Sequence, residues 1–193
     1  MEINRISAGI LAGGKSTRMG ENKARLKLND QSFMEKIAWE CRGFSELLIS
    51  VDSMEKYQDI PYRMVEDELM GYGPLEGIFQ LVRACTEEYI FIAATDMPFL
   101  NAEFLNLLCT QLEGTEDCLT LTKEKRPEPL CSIYSKKLLP VLQEMRAQSI
   151  RKPRLLFDRV NTRYVELEAL GVSPELVSNI NTPEEYCKLI QEK

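Results

Sequence analysis

Four apolar runs in the first half of this chain end on the same kinds of residue. ISAGILA (6–12) runs into Gly13-Gly14, ELLISVD (46–52) closes on Asp52, RMVE (63–66) runs into Asp67, and YIFIAATD (89–96) closes on Asp96. Short apolar runs bounded by turn residues read as buried strands. Helical patterns lie between them. Ser32-Phe33-Met34-Glu35 is a capping box that opens a helix to about Arg42, and Pro74 stands at the start of LEGIFQLVRAC, whose apolar residues recur at helical spacing. Strands alternating with helices predict an α/β fold with a largely parallel sheet covered on both faces. In such sheets ligands bind beyond the carboxyl ends of the strands. Gly13-Gly14, Asp52, Asp67 and Asp96 are therefore expected on one rim.

The second half is less regular. Asn101 caps a helix over AEFLNLLCTQL, and DCLTLT (117–122) and LCSIY (130–134) read as strands around a polar loop, KEKRPEP. KKLLPVLQEMR reads as a helix with Pro140 near its first turn, RLLFDRV (154–160) as another helix, and TRYVEL (162–167) as a strand. Thr182-Pro183-Glu184-Glu185 opens a last helix with Thr182 as its cap. No internal repeat and no linker divides the 193 residues, so a single domain over 1–193 is expected.

Composition narrows the chemistry. A net charge of −6 argues against a general nucleic-acid binder, which needs a basic surplus to neutralise phosphates. No apolar run approaches the ~18 residues that span a bilayer, and MEINRIS lacks the apolar centre of a secretion signal. The six cysteines show no C-x-x-C spacing and are expected in strand and helix cores. These features predict a cytoplasmic protein without membrane or nucleic-acid partners. The chain contains no histidine. That removes Ser-His-Asp and Cys-His catalysis, His-ligated zinc and imidazole acid–base work. Carboxylates, Lys, Arg, backbone amides and metal are left.

The stretch GILAGGKSTRMGENK (9–23) matches the P-loop pattern if Gly9 is its first glycine and Gly14-Lys15-Ser16 its end. A P-loop needs a strand that stops before that glycine. Here the residues before Gly9 carry Glu2 and Arg5, and the apolar run continues through Gly9 to Ala12. Gly9 is better read as a glycine within a strand, where a neighbouring backbone or a base comes close. The turn then begins at Gly13, and Arg18 and Lys23 follow it. Both can reach a triphosphate, the Arg fork bidentately and the Lys as a mobile point charge. Lys15, Arg25 and Lys27 read as solvated surface charges.

LAGGKSTRMGENKA (11–24) resembles the L-A-G-G-x-S-x-R-M-G-x-x-K-A signature of the nucleotidyltransferase superfamily. GPLEGI (73–78), TDMPFL (95–100), EPLCSIY (128–134) and NINTPEEY (179–186) narrow the resemblance to the molybdenum cofactor guanylyltransferase family, over about residues 6–187. The resemblance implies a Rossmann-like three-layer α/β/α fold with a mostly parallel mixed sheet. It implies a magnesium-dependent transfer of GMP from GTP to molybdopterin, molybdenum-loaded or not, with release of pyrophosphate. Further cofactor-biosynthesis proteins and acceptor molybdoenzymes are implied partners.

By position, the resemblance places Leu11, Ala12, Gly13 and Gly14 on the guanine nucleotide and Lys23 on its phosphates. Asp96 matches the magnesium ligand, and Asn179 and Asn181 match residues near the pterin substrate. Asp52 and Asp67 match further nucleotide-contacting positions. In such a reaction a pterin phosphate oxygen attacks the α-phosphorus of GTP, Lys23 stabilises that phosphate, and Arg18 holds the departing pyrophosphate. Two residues depart from the pattern: Glu76 stands where the family often has Ala, and Asp52-Ser53 replaces a common Asn-Arg pair. Asp52 and Asp67 also read as turn-forming carboxylates, Asp96 as a helix cap, and Asn179 and Asn181 as loop-stabilising side chains. A cytidylyl- or sugar nucleotidyltransferase, a P-loop NTPase and a GTP-binding module without turnover are the alternatives.

Overall fold

The computed structural model describes residues 1–13, 23–28 and 30–191. β1 (Ser7–Leu11) enters the signature stretch, and a small hairpin of β2 (Lys27–Leu28) and β3 (Gln31–Ser32) follows it. The chain continues through α1 (Phe33–Glu40), β4 (Leu47–Val51), β5 (Arg63–Glu66), α2 (Pro74–Ala84), β6 (Tyr89–Ala94) and α3 (Ala102–Thr110). It ends with β7 (Cys118–Lys123), β8 (Arg126–Ser135), α4 (Leu139–Ala147), β9 (Thr162–Glu166) and α5 (Pro183–Gln191). Among the described residues seven strands form one sheet in the order β5-β4-β1-β6-β8-β7-β9. Every neighbouring pair is parallel except those made by β8, which runs antiparallel to both β6 and β7. This is the mixed, mostly parallel α/β sheet that the sequence predicts.

Strand alternation divides the core into two layers. Ala8 and Ile10 of β1, with Phe91 and Ala93 of β6, face α1 and α3, while Leu11, Ile90 and Ile92 face α2 and α4. Phe44 stacks on Phe91 at 5.5 Å in the first layer, and Tyr134 on Phe157 at 6.4 Å in the second. Helix starts follow local rules: Ser32 and Glu35 form the capping box of α1, Asn101 Oδ1 accepts from Phe104 N, and Thr182 and Glu185 cap each other at α5. Among the described residues no helix is long and apolar enough to cross a membrane.

Three expectations are corrected. KEKRPEP is not a loop: Glu124 and Lys125, with φ of 51° and 62°, make a tight hairpin turn, and β8 begins at Arg126. Pro127 and Pro129 are tolerated there because β6 pairs β8 only from Cys131 onward, which leaves the start of β8 a local edge. RLLFDRV is not an α-helix but a short 3-10 turn, Pro153–Leu156, followed by further turns. Five cysteines are buried as expected, whereas Cys187 is exposed on α5.

Candidate active site

β1 lies between β4 and β6, and the chain leaves it first towards β4 and β5 before returning on its other side to β6. A crevice opens at such a switch point, beyond the carboxyl ends of the two strands. Here that crevice is a cleft of about 660 Å³, within the range that encloses small-molecule ligands. Leu11, Ala12 and Gly13 line it from β1, Ser50 and Asp52 from β4, Asp67 from the end of β5, and Ala94, Thr95 and Asp96 from β6. Gly73, Pro74 and Gly77 line it from the start of α2. The structure thus brings together six of the residues singled out in the sequence.

Close backbone approach explains the small residues. A Cβ on Gly13 would stand 2.8 Å from Asp52 N, so only glycine lets the ends of β1 and β4 meet there. A Cβ on Gly77 would stand 2.5 Å from Leu11 Cδ2 and 2.6 Å from Ser50 Oγ. Gly9 sits in the middle of β1, paired with Leu48 and Ile92 on its two sides, and a Cβ there would meet Leu81 of α2 at 2.8 Å. The close neighbour of Gly9 is a helix side chain, not a base. A strand that runs through Gly9 cannot supply the first glycine of a P-loop. Gly14, Lys15, Ser16 and Arg18 lie outside the described residues, and Lys23 opens the 3-10 turn Lys23–Arg25.

The carboxylates differ in setting. Asp52 Oδ2 accepts from Lys56 Nζ at 2.6 Å, one helical turn on. Asp67 Oδ1 accepts from Ser50 Oγ at 3.2 Å. Burial pushes the Asp67 carboxyl up to about 6 against the pull of Ser50, and the charges of Glu76, Asp52 and Glu66 add to the rise. Asp96 lies two residues past β6, in a turn, and its Oδ1 is buried. The strand is therefore shorter than YIFIAATD. The cap of α3 is Asn101, not Asp96. Burial, and then the Asp96 charge, raise the carboxyl of Glu128. Asp96 is a half-buried carboxylate at the cleft that could serve a hard divalent cation, which takes one or two carboxylates and fills the rest with waters and phosphate oxygens. Among the described residues no three acidic or thiol groups gather into a closed metal cage.

Asn179 and Asn181 do not line the cleft but flank it. Ile180, between them, donates its N–H to Asp96 O at 2.8 Å, which ties the loop before α5 to the turn after β6. Asn179 Oδ1 is buried and meets no hydrogen-bond donor among the described residues. Tyr186 of α5 holds the β2 strand through Lys27 O at 2.7 Å, so α5 braces the segment that follows the signature.

Several residues of the site escaped the sequence reading. Lys56 lies at the i+4 position that a partner of Asp52 would occupy, a visible signal. Tyr57 donates its buried hydroxyl to Ala12 O at 2.8 Å and so fixes the end of β1. Met70, Gly71 and Leu130 complete the apolar part of the lining; Leu130 lies within EPLCSIY, whereas nothing in the local sequence marks Met70 or Gly71.

Residues 8–162 match the family described as MobA-like NTP transferase domain. The chain is 32% identical over 196 residues to a protein of Carboxydothermus hydrogenoformans named "probable molybdenum cofactor guanylyltransferase", a match that spans 98% of this chain and 97% of the relative. A protein of Methanosarcina acetivorans with the same name is 34% identical over 203 residues, covering 95% and 89% of the two chains. Among solved structures, molybdopterin-guanine dinucleotide biosynthesis protein A of Archaeoglobus fulgidus superposes with a TM-score of 0.84 at 25% identity, over 97% of this chain and 98% of that one.

Proposed function

The chain belongs to the MobA-like NTP transferase family, and from that premise we propose that it transfers GMP from GTP to molybdopterin, with or without molybdenum, and releases pyrophosphate. The observation that carries this reading is the convergence of Leu11–Gly13, Asp52, Asp67 and Asp96 on one cleft at the switch point of the sheet. The nucleotide lies there with its base and ribose towards Leu11, Asp67 and the start of α2, and its phosphates towards Gly13 and the signature stretch.

The protein's work is positioning and charge neutralisation, because the attacking pterin phosphate is already ionised and needs no base. Lys23 stabilises charge on the α-phosphate, and Arg18 holds the departing pyrophosphate. Asp96, with Glu128 nearby, would hold a magnesium ion, which screens the two anions from each other when bound. Asn179 and Asn181, on the loop that Ile180 ties to the turn at Asp96, would lie on the pterin side of the cleft. The absence of histidine is consistent with this chemistry.

A thermal-shift screen with GTP, CTP, UTP and ATP, each with magnesium, tests the reading. GTP is expected to stabilise the protein most, and stabilisation by CTP alone would sink it. Lys23→Ala should abolish the GTP shift, and Lys15→Ala should leave it in place.

A further inference from the structure

Glu76, on the first turn of α2, is completely buried, yet it carries a full set of hydrogen bonds. Its Oε1 accepts from Glu68 N (3.1 Å), Leu69 N (3.3 Å), Gln80 Nε2 (2.6 Å) and Arg146 Nη2 (3.0 Å), and its Oε2 accepts from Arg146 Nε (2.7 Å). Arg146, on α4, also reaches Glu68 Oε2 at 3.2 Å and lies 4.0 Å over the Phe79 ring. At the far end of the same loop, Tyr72 donates its hydroxyl to Ile150 O at 2.9 Å, just past α4. Residues 67–73 are thus pinned at both ends to α2 and α4. Asp67, Met70, Gly71 and Gly73 of this loop form one wall of the cleft.

Apolar residues of similar size often replace a buried ion pair without loss of stability. Such a pair is therefore weak evidence of a role in stability, and what this one visibly does is hold two loop amides. We propose that Glu76 and Arg146 are positioning residues that set the 67–73 wall against the base and ribose of the bound nucleotide. The inference rests on the reading of the cleft as a nucleotide site. The wall presents Asp67 and glycine backbone to the ligand, and both lose their geometry if the amides of Glu68 and Leu69 are released.

Two variants test it, Glu76→Ala and the apolar pair Glu76→Leu with Arg146→Met; the second keeps the core filled and guards against simple unfolding. Calorimetric titration with GTP and with pyrophosphate, both with magnesium, is run on wild type and variants, alongside thermal melts. Wild-type binding of GTP tests the nucleotide reading by itself, and its absence would overturn that reading. Given such binding, both folded variants should bind GTP on the order of 10- to 100-fold more weakly, the loss expected when a hydrogen bond from a charged group such as Asp67 to the ligand is lost. Pyrophosphate affinity should stay unchanged, and in turnover KM for GTP should rise with kcat at saturation retained. An apolar pair that melts like wild type and binds GTP as tightly would overturn the proposal. So would an equal loss for GTP and pyrophosphate, which would mean that the whole cleft had been disturbed.

Discussion

Asp67→Asn should make the protein more stable at neutral and alkaline pH while weakening its hold on nucleotide. The Asp67 carboxyl is pushed up to about 6 from an ordinary 3.8, chiefly by burial. An acid whose folded value lies above its unfolded value opposes folding wherever the unfolded chain ionises more readily. Below about pH 4 both states are protonated and the group contributes nothing. Between about pH 4 and pH 6 the unfolded state gains charge first, so folding loses stability, and above pH 6 the loss is complete and constant. At 1.36 kcal/mol per pH unit the raw figure is about 3 kcal/mol. Asp67 is only about half buried, so screening by solvent reduces this to about 1–2 kcal/mol. Asparagine keeps an oxygen for the Ser50 hydroxyl and removes the charge. Urea titrations of both proteins at pH 4.5, 6 and 8 read the difference, since groups that do not interact with Asp67 cancel in the comparison. The stability of Asp67→Asn relative to wild type should rise by about 0.5–1 kcal/mol from the lowest to the highest pH, because at pH 4.5, above the unfolded value of 3.8, part of the loss is already in place. A difference that does not change with pH, or that falls as pH rises, would refute the account of Asp67 as a carboxylate held in a desolvating site.

Gly77→Ala should cost roughly 1–3 kcal/mol in a urea titration, the usual range for an overpacked core, because the new methyl forces Leu11 or Ser50 aside; an unchanged midpoint would show that α2 has room to lift off the sheet. Tyr57→Phe should lower stability by about 1–2 kcal/mol by stranding Ala12 O in a buried position, and denaturant melts would detect it. In the native protein a thiol-reactive dye should modify Cys187 alone, with the other five reacting only in denaturant, because burial both shields their thiols and raises them away from the thiolate. A second fast-reacting thiol, counted by mass spectrometry, would contradict the packing of the core.

Strands β1, β4 and β6 were legible because burial leaves a continuous apolar run that ends where an acidic or glycine turn had to begin, whereas β5, the edge strand, is partly exposed and showed only as the short RMVE before Asp67. The caps at Ser32, Asn101 and Thr182 were legible for a similar reason: each is a local bond between residues three apart. The Glu124-Lys125 turn was not, since neither residue is one that favours a left-handed backbone, and the prolines beyond it read as loop. Their place in β8 depends on where β6 stops, a fact of pairing and not of local sequence. Glu76 was visible as an odd residue in GPLEGI, but its role was not. A carboxylate on the first turn of a helix ordinarily answers the helix dipole at the surface. This one turns inward, and the arginine that makes that possible is seventy residues away on α4.

Charge links the cleft to the stretch that precedes Lys23. Among its described lining residues the cleft carries three carboxylates, Asp52, Asp67 and Asp96, and one cation, Lys56, which already pairs with Asp52. A cleft so composed repels a triphosphate. An anion can enter only if positive charge is supplied from elsewhere, and two sources are at hand. The signature stretch brings Arg18 and Lys23 into the ten residues after Gly13, and a divalent cation at Asp96 would convert a repelling carboxylate into an anchor for phosphate oxygens. On the proposed nucleotide reading, the acidic lining would make nucleotide affinity conditional on both. Removing the metal with a chelator should weaken GTP more than removing the Lys56 charge by Lys56→Met, because Lys56 is already engaged by Asp52 and has little charge left to offer the ligand. If Lys56→Met proves the more damaging in a titration with GTP, the Asp52–Lys56 pair must open on binding, and Lys56 takes its place among the phosphate ligands.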